Sequence, residues 1–122
     1  MVRPWQKLAE TARKVFEHYN FEVWTVKFRN PTTEKESEFV LHGQKNKTGA
    51  AVLAVTVNLN VVAIREYMQG ADMIIRLLPG GAAAFEGEAP EETARRELME
   101  ETGYQAEELI PLGYCFLEPR NS

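Results

Sequence analysis

Three acidic side chains, Glu97, Glu100 and Glu101, recur at spacings of three and four residues in one stretch of the chain. If residues 91–102 form a helix, these spacings place all three carboxylates on one face. Hard cations such as Mg²⁺ and Mn²⁺ prefer oxygen ligands, and a helix holds such ligands rigidly. The alternative is a solvated surface on which the neighbouring arginines supply the counter-charges. The spacing alone therefore leaves two interpretations, a metal site and a charged surface.

The flanking sequence predicts the helix that would carry these carboxylates. Pro90, followed by Glu91-Glu92, is typical of a helix start, because proline fits the first turn and acids favour the positive end of the helix dipole. Gly103 is suited to end the helix. Upstream, Leu78-Pro79-Gly80-Gly81 ends a β run and exposes backbone carbonyls in conformations that other residues avoid. The acidic side chains are therefore expected beside a glycine-rich bend.

The segment from Glu88 to Tyr104 resembles the Nudix box, whose pattern is G-x5-E-x7-R-E-U-x-E-E-x-G-U, where U is aliphatic or aromatic. Seven residues separate Glu88 from Arg96, and every specified position from Glu88 onward is met. The sequence departs from the pattern at its first glycine. That position is occupied by Ala82, and Gly81 stands one residue earlier. The loop between this glycine and Glu88 is thus one residue longer than the family pattern.

The resemblance implies a role for the acidic side chains and the glycines. Glu97 and Glu101 would be the principal ligands of Mg²⁺ or Mn²⁺, and Glu100 a further ligand or the group that positions water. A backbone carbonyl of Gly81, or of Gly80, would add a ligand from the bend. The same three glutamates are the implied catalytic residues, and the identity of the catalytic base stays open.

Two further roles are implied for the rest of this segment. Glu88 and Arg96 would form a structural salt bridge that fixes the loop against the helix, while Leu98 would face the core. In such a site the cations neutralise a diphosphate and activate a water for in-line attack on phosphorus. The products would be two phosphate-bearing halves of the cleaved molecule.

The remainder of the chain predicts a largely β domain. Residues 5–19 carry apolar side chains at helical spacing, whereas the resemblance implies β structure there, so both conformations stay open. Residues 21–28 and 37–41 predict a β-hairpin. Further strands are predicted at 51–57 and 61–67, both as central strands, and at 73–78 and 109–117. With the resemblance, these elements imply an α/β (α+β) Nudix-type sandwich of α/β/α layers with a mixed sheet.

A chain of 122 residues with 44% hydrophobic content predicts one domain. Residues 1–45 are expected to be an N-terminal, dimer-forming segment and residues 46–122 the Nudix core. Relatives of this kind carry more sheet, a further helix and another glutamate after this point, so the core is expected to be incomplete at its C-terminus. Whether residue 122 is the native end stays open. A homodimer is expected, since a second chain would cover the sheet edge left there.

Charge and composition exclude several classes of partner. The net charge of -4 argues against a nucleic acid, because binding to a phosphate backbone needs a basic surface. A small phosphorylated ligand is compatible, since a bound cation can invert the local field. No run of eighteen apolar residues predicts a membrane span. The lone Cys115, predicted to be buried, allows no internal disulfide, and we expect a cytoplasmic protein.

Isolated aromatic and histidine side chains are predicted to be structural. None of them belongs to a cluster with the spacing of metal ligands. Packing is favoured over stacking on a base for the aromatic rings. The side chains interpreted in this way are Trp5, Phe21, Trp24, His18 and His42.

The N-terminal third of the sequence suggests a branch of the family. The opening Arg3-Pro4-Trp5-Gln6-Lys7-Leu8, the hairpin and Arg65-Glu66-Tyr67 resemble the ADP-ribose and nucleoside diphosphate sugar pyrophosphatases. This implies metal-dependent hydrolysis of ADP-ribose or another nucleotide sugar, with Arg65 as a phosphate contact. One alternative is a catalytically inactive Nudix-fold module that binds a nucleotide for regulation. Another is a hydrolase that removes unwanted nucleoside triphosphates.

Overall fold

The computed structural model describes residues 1–44 and 48–115, which form one helix and seven strands with antiparallel pairing throughout. Two compact units divide the chain: residues 1–45 with 113–122, and residues 46–112. No helix in the described residues is long and apolar enough to cross a membrane. The elements are β1 Gln6–His18, β2 Phe21–Arg29, β3 Glu36–Gln44, β4 Gly49–Ala51, β5 Ile64–Met68, β6 Met73–Leu77, β7 Gly80–Ala82 and α1 Pro90–Thr102.

The first unit contains a three-stranded sheet in the order β1-β2-β3. Of the two conformations left open for residues 5–19, β structure is correct. The pairing of β1 with β2 shifts register between Leu8 and Arg13 and again between Lys14 and Phe16. Each shift changes the face to which the following side chains point. Bulges in a strand thus produced the apolar spacing that otherwise indicates a helix.

The predicted hairpin of residues 21–28 and 37–41 is confirmed. Strands β2 and β3 pair from Phe21↔Gln44 to Arg29↔Glu36 without a register shift. In the connecting turn, Oδ1 of Asn30 accepts hydrogen bonds from the backbone N–H groups of the second and third residues after it (2.8 and 3.1 Å). This side chain replaces the backbone partners that a turn lacks, and so fixes the end of the hairpin.

The aromatic side chains of this sheet make ring contacts with one another. Trp5 contacts Phe39 edge to face, with ring centroids 5.6 Å apart. Phe21 lies 5.6 Å from the ring of His42. Further contacts of this kind join Phe28 to Phe39, and His18 to Phe16 and Tyr19, while Nε1 of Trp24 donates to Glu22. These contacts are consistent with packing, and the structural role of these rings and histidines stays a prediction.

The second unit places α1 against the short sheet formed by β4 and β7. Val52, Ala94 and Leu98 form its buried core, with Leu98 only 3% exposed. The prediction that Leu98 faces the core is therefore confirmed. Strands β5 and β6 form a separate hairpin, so the predicted strand 73–78 is correct almost to the residue and 61–67 begins three residues late.

Other predicted strands are wrong. Regular pairing ends at Ala51, and within 52–57 only Val55 makes an isolated bridge, to Val61. Strands β4 and β5 are not central, because each pairs with a single strand in the described residues. Residues 109–115 form no strand, and 116–117 lie outside the described residues. A β-rich composition gives a strand only where another strand can pair with its backbone.

The lone cysteine was also wrongly predicted. Cys115 is exposed rather than buried. Ile110 and Leu112, which precede it, are 69% and 80% exposed. The apolar composition of this stretch therefore does not correspond to burial in the described residues.

Candidate functional site

The helix α1 begins and ends as its sequence predicts. Ala89 is extended, Pro90 occupies the first turn, and Glu91 and Glu92 lie at the positive end of the dipole. At the other end Gly103 adopts a left-handed conformation (φ 76°), which glycine tolerates best. The predicted helix is confirmed, and it separates two faces of opposite character.

The buried face of α1 contains Thr93, Ala94 and Leu98. The carboxylates of Glu97 and Glu101 lie instead against the short strand β7. This separation follows from helical periodicity, because the acids and the buried residues occupy different phases of the turn. Burial of the apolar side thus fixes the orientation of the acidic side.

Two acidic side chains meet the glycine pair of β7. A Cβ added to Gly81 would lie 2.6 Å from the carboxyl carbon and from Oε1 of Glu97, so this carboxylate occupies the space that a side chain would need. The N–H of Gly80 donates to Oε2 of Glu101 at 2.9 Å. The side chains implied as the principal metal ligands therefore converge on Gly80 and Gly81.

The pairing of β7 decides where its backbone groups point. Pro79 and Ala83 are hydrogen-bonded to the β4 side, and Gly81, which lies between them, turns its carbonyl the same way. In a strand, the backbone groups of alternate residues point in opposite directions. Gly80 and Ala82 accordingly point to α1, where their backbone groups bond to its side chains. The carbonyl of Gly80 thus faces the acidic side, whereas that of Gly81 faces β4.

The guanidinium of Arg96 links the loop to the acidic face. Its Nε and Nη2 donate to the two carboxylate oxygens of Glu88, each at 3.1 Å. Nη2 also donates to the carbonyl of Ala82 (3.0 Å), and Nη1 to Glu97 (2.7 Å) and Glu100 (3.3 Å). A planar fork of donors is suited to this geometry, which a lysine does not reproduce. One side chain therefore holds the loop and two of the three acids.

Among the described acids of the site, Glu88 accepts the most hydrogen bonds. Besides Arg96, it accepts hydrogen bonds from the N–H of Ala84 (2.7 Å) and the hydroxyl of Thr93 (2.9 Å). The bonds from Arg96 and then from Ala84 lower the pKa of Glu88 to about 2, although burial opposes this. The same contact raises the pKa of Arg96 above its usual range. The pair therefore stays ionised at neutral pH.

Sequence reasoning missed the part played by Thr93. Its side chain is 1% exposed, and its hydroxyl reaches Glu88 from the second turn of α1. A hydroxyl on the apolar face of an amphipathic helix is the signal that indicates such a bond, because a buried polar group needs a partner.

Not every predicted site residue is brought to the acidic face. Glu100 is exposed, with 57% of its side chain accessible, whereas the side chain of Glu97 is only 13% accessible. Within the part of the chain that the structure describes, no three His, Cys, Asp or Glu side chains lie close enough together to form a ready metal cluster. Arg65 lies on β5, which packs chiefly against β6 rather than α1.

Comparison with known families identifies this arrangement. Residues 45–121 match the NUDIX domain. The chain belongs to the Nudix family. The match covers the whole second unit and includes the loop, α1 and the glycine pair. The resemblance of residues 88–104 to the Nudix box is therefore confirmed as family membership.

Two relatives carry a functional name. The chain is 36% identical over 75 residues to the ADP-ribose pyrophosphatase of Bacillus subtilis (strain 168), covering 62% of this chain and 40% of that protein. It is 39% identical over 59 residues to the methanol dehydrogenase activator of Bacillus methanolicus, covering 48% of this chain and 31% of the activator. The chain thus spans less than half the length of either relative. The first supports the predicted resemblance to the ADP-ribose pyrophosphatase branch.

A solved structure supports the Nudix fold. The crystal structure of an ADP compounds hydrolase superposes with a TM-score of 0.68 at 24% identity, covering 88% of this chain and 56% of that chain. At this identity the likeness concerns the fold alone. The predicted fold class, a Nudix-type α+β domain, is confirmed.

Proposed function

We propose that this Nudix chain hydrolyses the diphosphate linkage of a nucleoside diphosphate derivative, ADP-ribose or another nucleotide sugar, with the help of Mg²⁺ or Mn²⁺. The observation that carries the proposal is the convergence of Glu97 and Glu101 on the Gly80-Gly81 pair. The ADP-ribose pyrophosphatase relative supports the choice of substrate class.

The donor atoms at this place fit a hard divalent cation. Glu97, Glu100 and Glu101 would supply carboxylate oxygens, the ligand type that Mg²⁺ and Mn²⁺ prefer. Of the two candidate carbonyls we assign Gly80, because that of Gly81 faces β4. When bound, the cation would neutralise the diphosphate and lower the pKa of a water.

The remaining groups would hold these ligands in position. Arg96 would anchor the loop through Glu88 while its Nη1 orients the acidic face. We assign Glu100 to hold the attacking water through its carboxylate oxygen, since it is exposed and its one hydrogen bond to the described residues, from Arg96, is long at 3.3 Å. The reaction would then depend on positioning and charge stabilisation, as phosphoryl transfer commonly does.

A second candidate is a Nudix-fold module that binds a nucleotide without cleaving it. The relative named as an activator favours this alternative, as does the loop that is one residue longer than the box pattern. A hydrolase of nucleoside triphosphates is a third candidate within the enzyme class. The three differ in the products they would release.

We further propose that the chain acts as a homodimer through its N-terminal sheet. Apolar side chains of this sheet are unusually exposed, among them Val15 at 57%, Phe16 at 54% and Val40 at 56%. Exposed apolar patches of this kind commonly mark an interface. Light scattering after gel filtration should give twice the chain mass, and a monomer at all concentrations would contradict the dimer.

The test of the proposed reaction is turnover with and without cation. The protein is incubated with Mg²⁺ or Mn²⁺ and a panel of ADP-ribose, other nucleotide sugars and nucleoside triphosphates, and the products are separated. ADP-ribose should give AMP and ribose 5-phosphate, and chelation should abolish the reaction. The change Glu101→Gln should lower kcat by more than about a hundredfold, because it removes a charged ligand.

Glu92→Gln is the matched control, since Glu92 is an exposed acid in the first turn of the same helix and was not assigned to the site. It should leave kcat within about twofold of the parent. Unchanged turnover in Glu101→Gln would show that the cation is bound elsewhere. Ligand binding without product from any member of the panel would favour the regulatory module.

A further inference from the structure

The β5–β6 hairpin places two arginines directly opposite each other. In the antiparallel pairing of these strands, Arg65 is the partner of Arg76. Side chains of such partners project from the same face, with their Cβ atoms about 5 Å apart. Both arginines are exposed. Like charges in this position destabilise a sheet, so the pair is costly unless an anion lies between them.

The described residues supply no such anion. Neither guanidinium has a hydrogen bond or ion pair with any of them. Glu66 follows Arg65 in the strand, but adjacent residues of a strand point to opposite faces. Asp72, at the hairpin turn, accepts a hydrogen bond from the hydroxyl of Tyr67. The positive charge of the pair is therefore left for a ligand.

The face that carries the arginines also carries apolar surface. Tyr67 and Ile74, a cross-strand pair next to the arginines, are 49% and 57% exposed, and Leu78 is 43% exposed. On the opposite face Ile64, Ile75 and Leu77 are half-buried. A cationic pair bordered by an aromatic ring and aliphatic side chains matches a ligand that joins a phosphate to a ring.

We propose that Arg76 joins Arg65, for which the family resemblance already implies a phosphate contact, in an anion-binding pair for the phosphate of a phosphorylated nucleoside, whose ring lies on the apolar surface beside them. Two guanidinium groups can each give paired hydrogen bonds to phosphate oxygens. Such an arrangement is stronger and more specific than a single surface arginine. Arg76, which no sequence pattern indicated, is as important here as Arg65.

The position of the pair along the chain connects it to the carboxylates. Arg76 precedes Gly80 by four residues, so their Cα atoms lie within about 14 Å of each other even in a fully extended chain. A nucleotide linked to a sugar can span such a distance. Resting on the function proposed above, the pair would bind the nucleotide part of the substrate whose diphosphate reaches the glycine pair.

The test uses ADP as the probe in the presence of a chelator, because arginines bind phosphate without a cation. Calorimetric titration should detect ADP binding to the parent protein and a loss of about tenfold in affinity for each of Arg65→Gln and Arg76→Gln. Added salt should weaken the binding. Arg13→Gln is the matched control, since Arg13 is also exposed in a strand and has no partner in the described residues; it should bind ADP as the parent does.

The outcomes separate this inference from the proposed reaction. If both arginine variants bind ADP as tightly as the parent, or the parent does not bind ADP without cation, the pair is not the site, whatever the turnover. If the arginine variants lose affinity for ADP but no substrate is cleaved, the proposed reaction is contradicted and the anion site is supported. ADP should bind more tightly than inorganic pyrophosphate, and equal binding would remove the role of the apolar surface.

Discussion

The arginines in two regions of the second unit differ in their hydrogen-bond partners. Arg96 uses all three of its side-chain nitrogens, which donate to Glu88, Glu97, Glu100 and the carbonyl of Ala82. The guanidinium groups of Arg65 and Arg76, which lie opposite each other in the β5–β6 hairpin, have no partner among the described residues. Arg96 therefore holds the parts of the site together, whereas the two arginines of the hairpin are available to bind a ligand.

The role of a basic residue near a candidate site can be inferred from its partners. A guanidinium held by several acceptors has one position, so its contribution lies in rigidity. Two exposed arginines that repel each other give no rigidity and lower the stability of the sheet. Partners, rather than charge or proximity, therefore distinguish a positioning residue from a ligand-binding one.

Exchanging arginine for lysine should affect the two regions very differently. Arg96→Lys keeps the charge but loses the fork, so the loop and the acidic face are no longer held together. We expect kcat for the cleaved substrate to fall about a hundredfold, with a lower melting temperature. Arg76→Lys should leave the melting temperature unchanged and alter KM rather than kcat. Equal effects of both exchanges would show that Arg96 and Arg76 do not differ in role.

Acid should weaken the network of Arg96 through its partner Glu88. The pKa of Glu88 in the folded protein, about 2, lies below the ordinary value of 4.5. A depressed pKa contributes stability that is complete above pH 4.5 and is lost as the pH falls toward about 2. Urea unfolding at a series of pH values should show this loss, and Glu88→Gln should show a smaller one. Identical slopes in both proteins would contradict the assignment.

The smallest effect is expected at Thr93, which gives one of several bonds to Glu88. Thr93→Val keeps the shape but removes the hydroxyl, and should lower the free energy of unfolding by about 1 to 2 kcal/mol. Its acid transition should also begin at higher pH, because one donor to Glu88 is lost. Thr93→Ser keeps the donor and should show the acid transition of the parent. A shift in both variants would mean that packing, not the hydroxyl, controls Glu88.

The helix and its loop could be predicted because their signals are local. Proline, first-turn acids and the closing glycine define α1, and the motif spacing from Glu88 to Arg96 indicates which side chains approach one another. A helix gives each residue a fixed direction from its position in the sequence alone. The Leu98 side of α1 followed from the same rule.

The strands were harder to predict because pairing involves distant residues. The bulges of β1 hid its β character behind a helical spacing. Residues 109–115 have the composition of a strand, yet no strand pairs with them in the described residues. The opposition of Arg65 and Arg76 also depends on register, which neither residue's neighbours reveal.

Strand β7 pairs with β4 along one edge and bonds to side chains of α1 along the other, which has a consequence for mutations outside the motif. A side chain at Gly49, on β4, would come within 2.5 Å of the carbonyl oxygen of Gly81. A methyl group there would displace the glycine pair and the carboxylate of Glu97 that lies against it, although residue 49 takes no part in the proposed reaction. Loss-of-function variants at Gly49 are thus to be expected in any saturation library, and a search restricted to the Nudix box would pass over them.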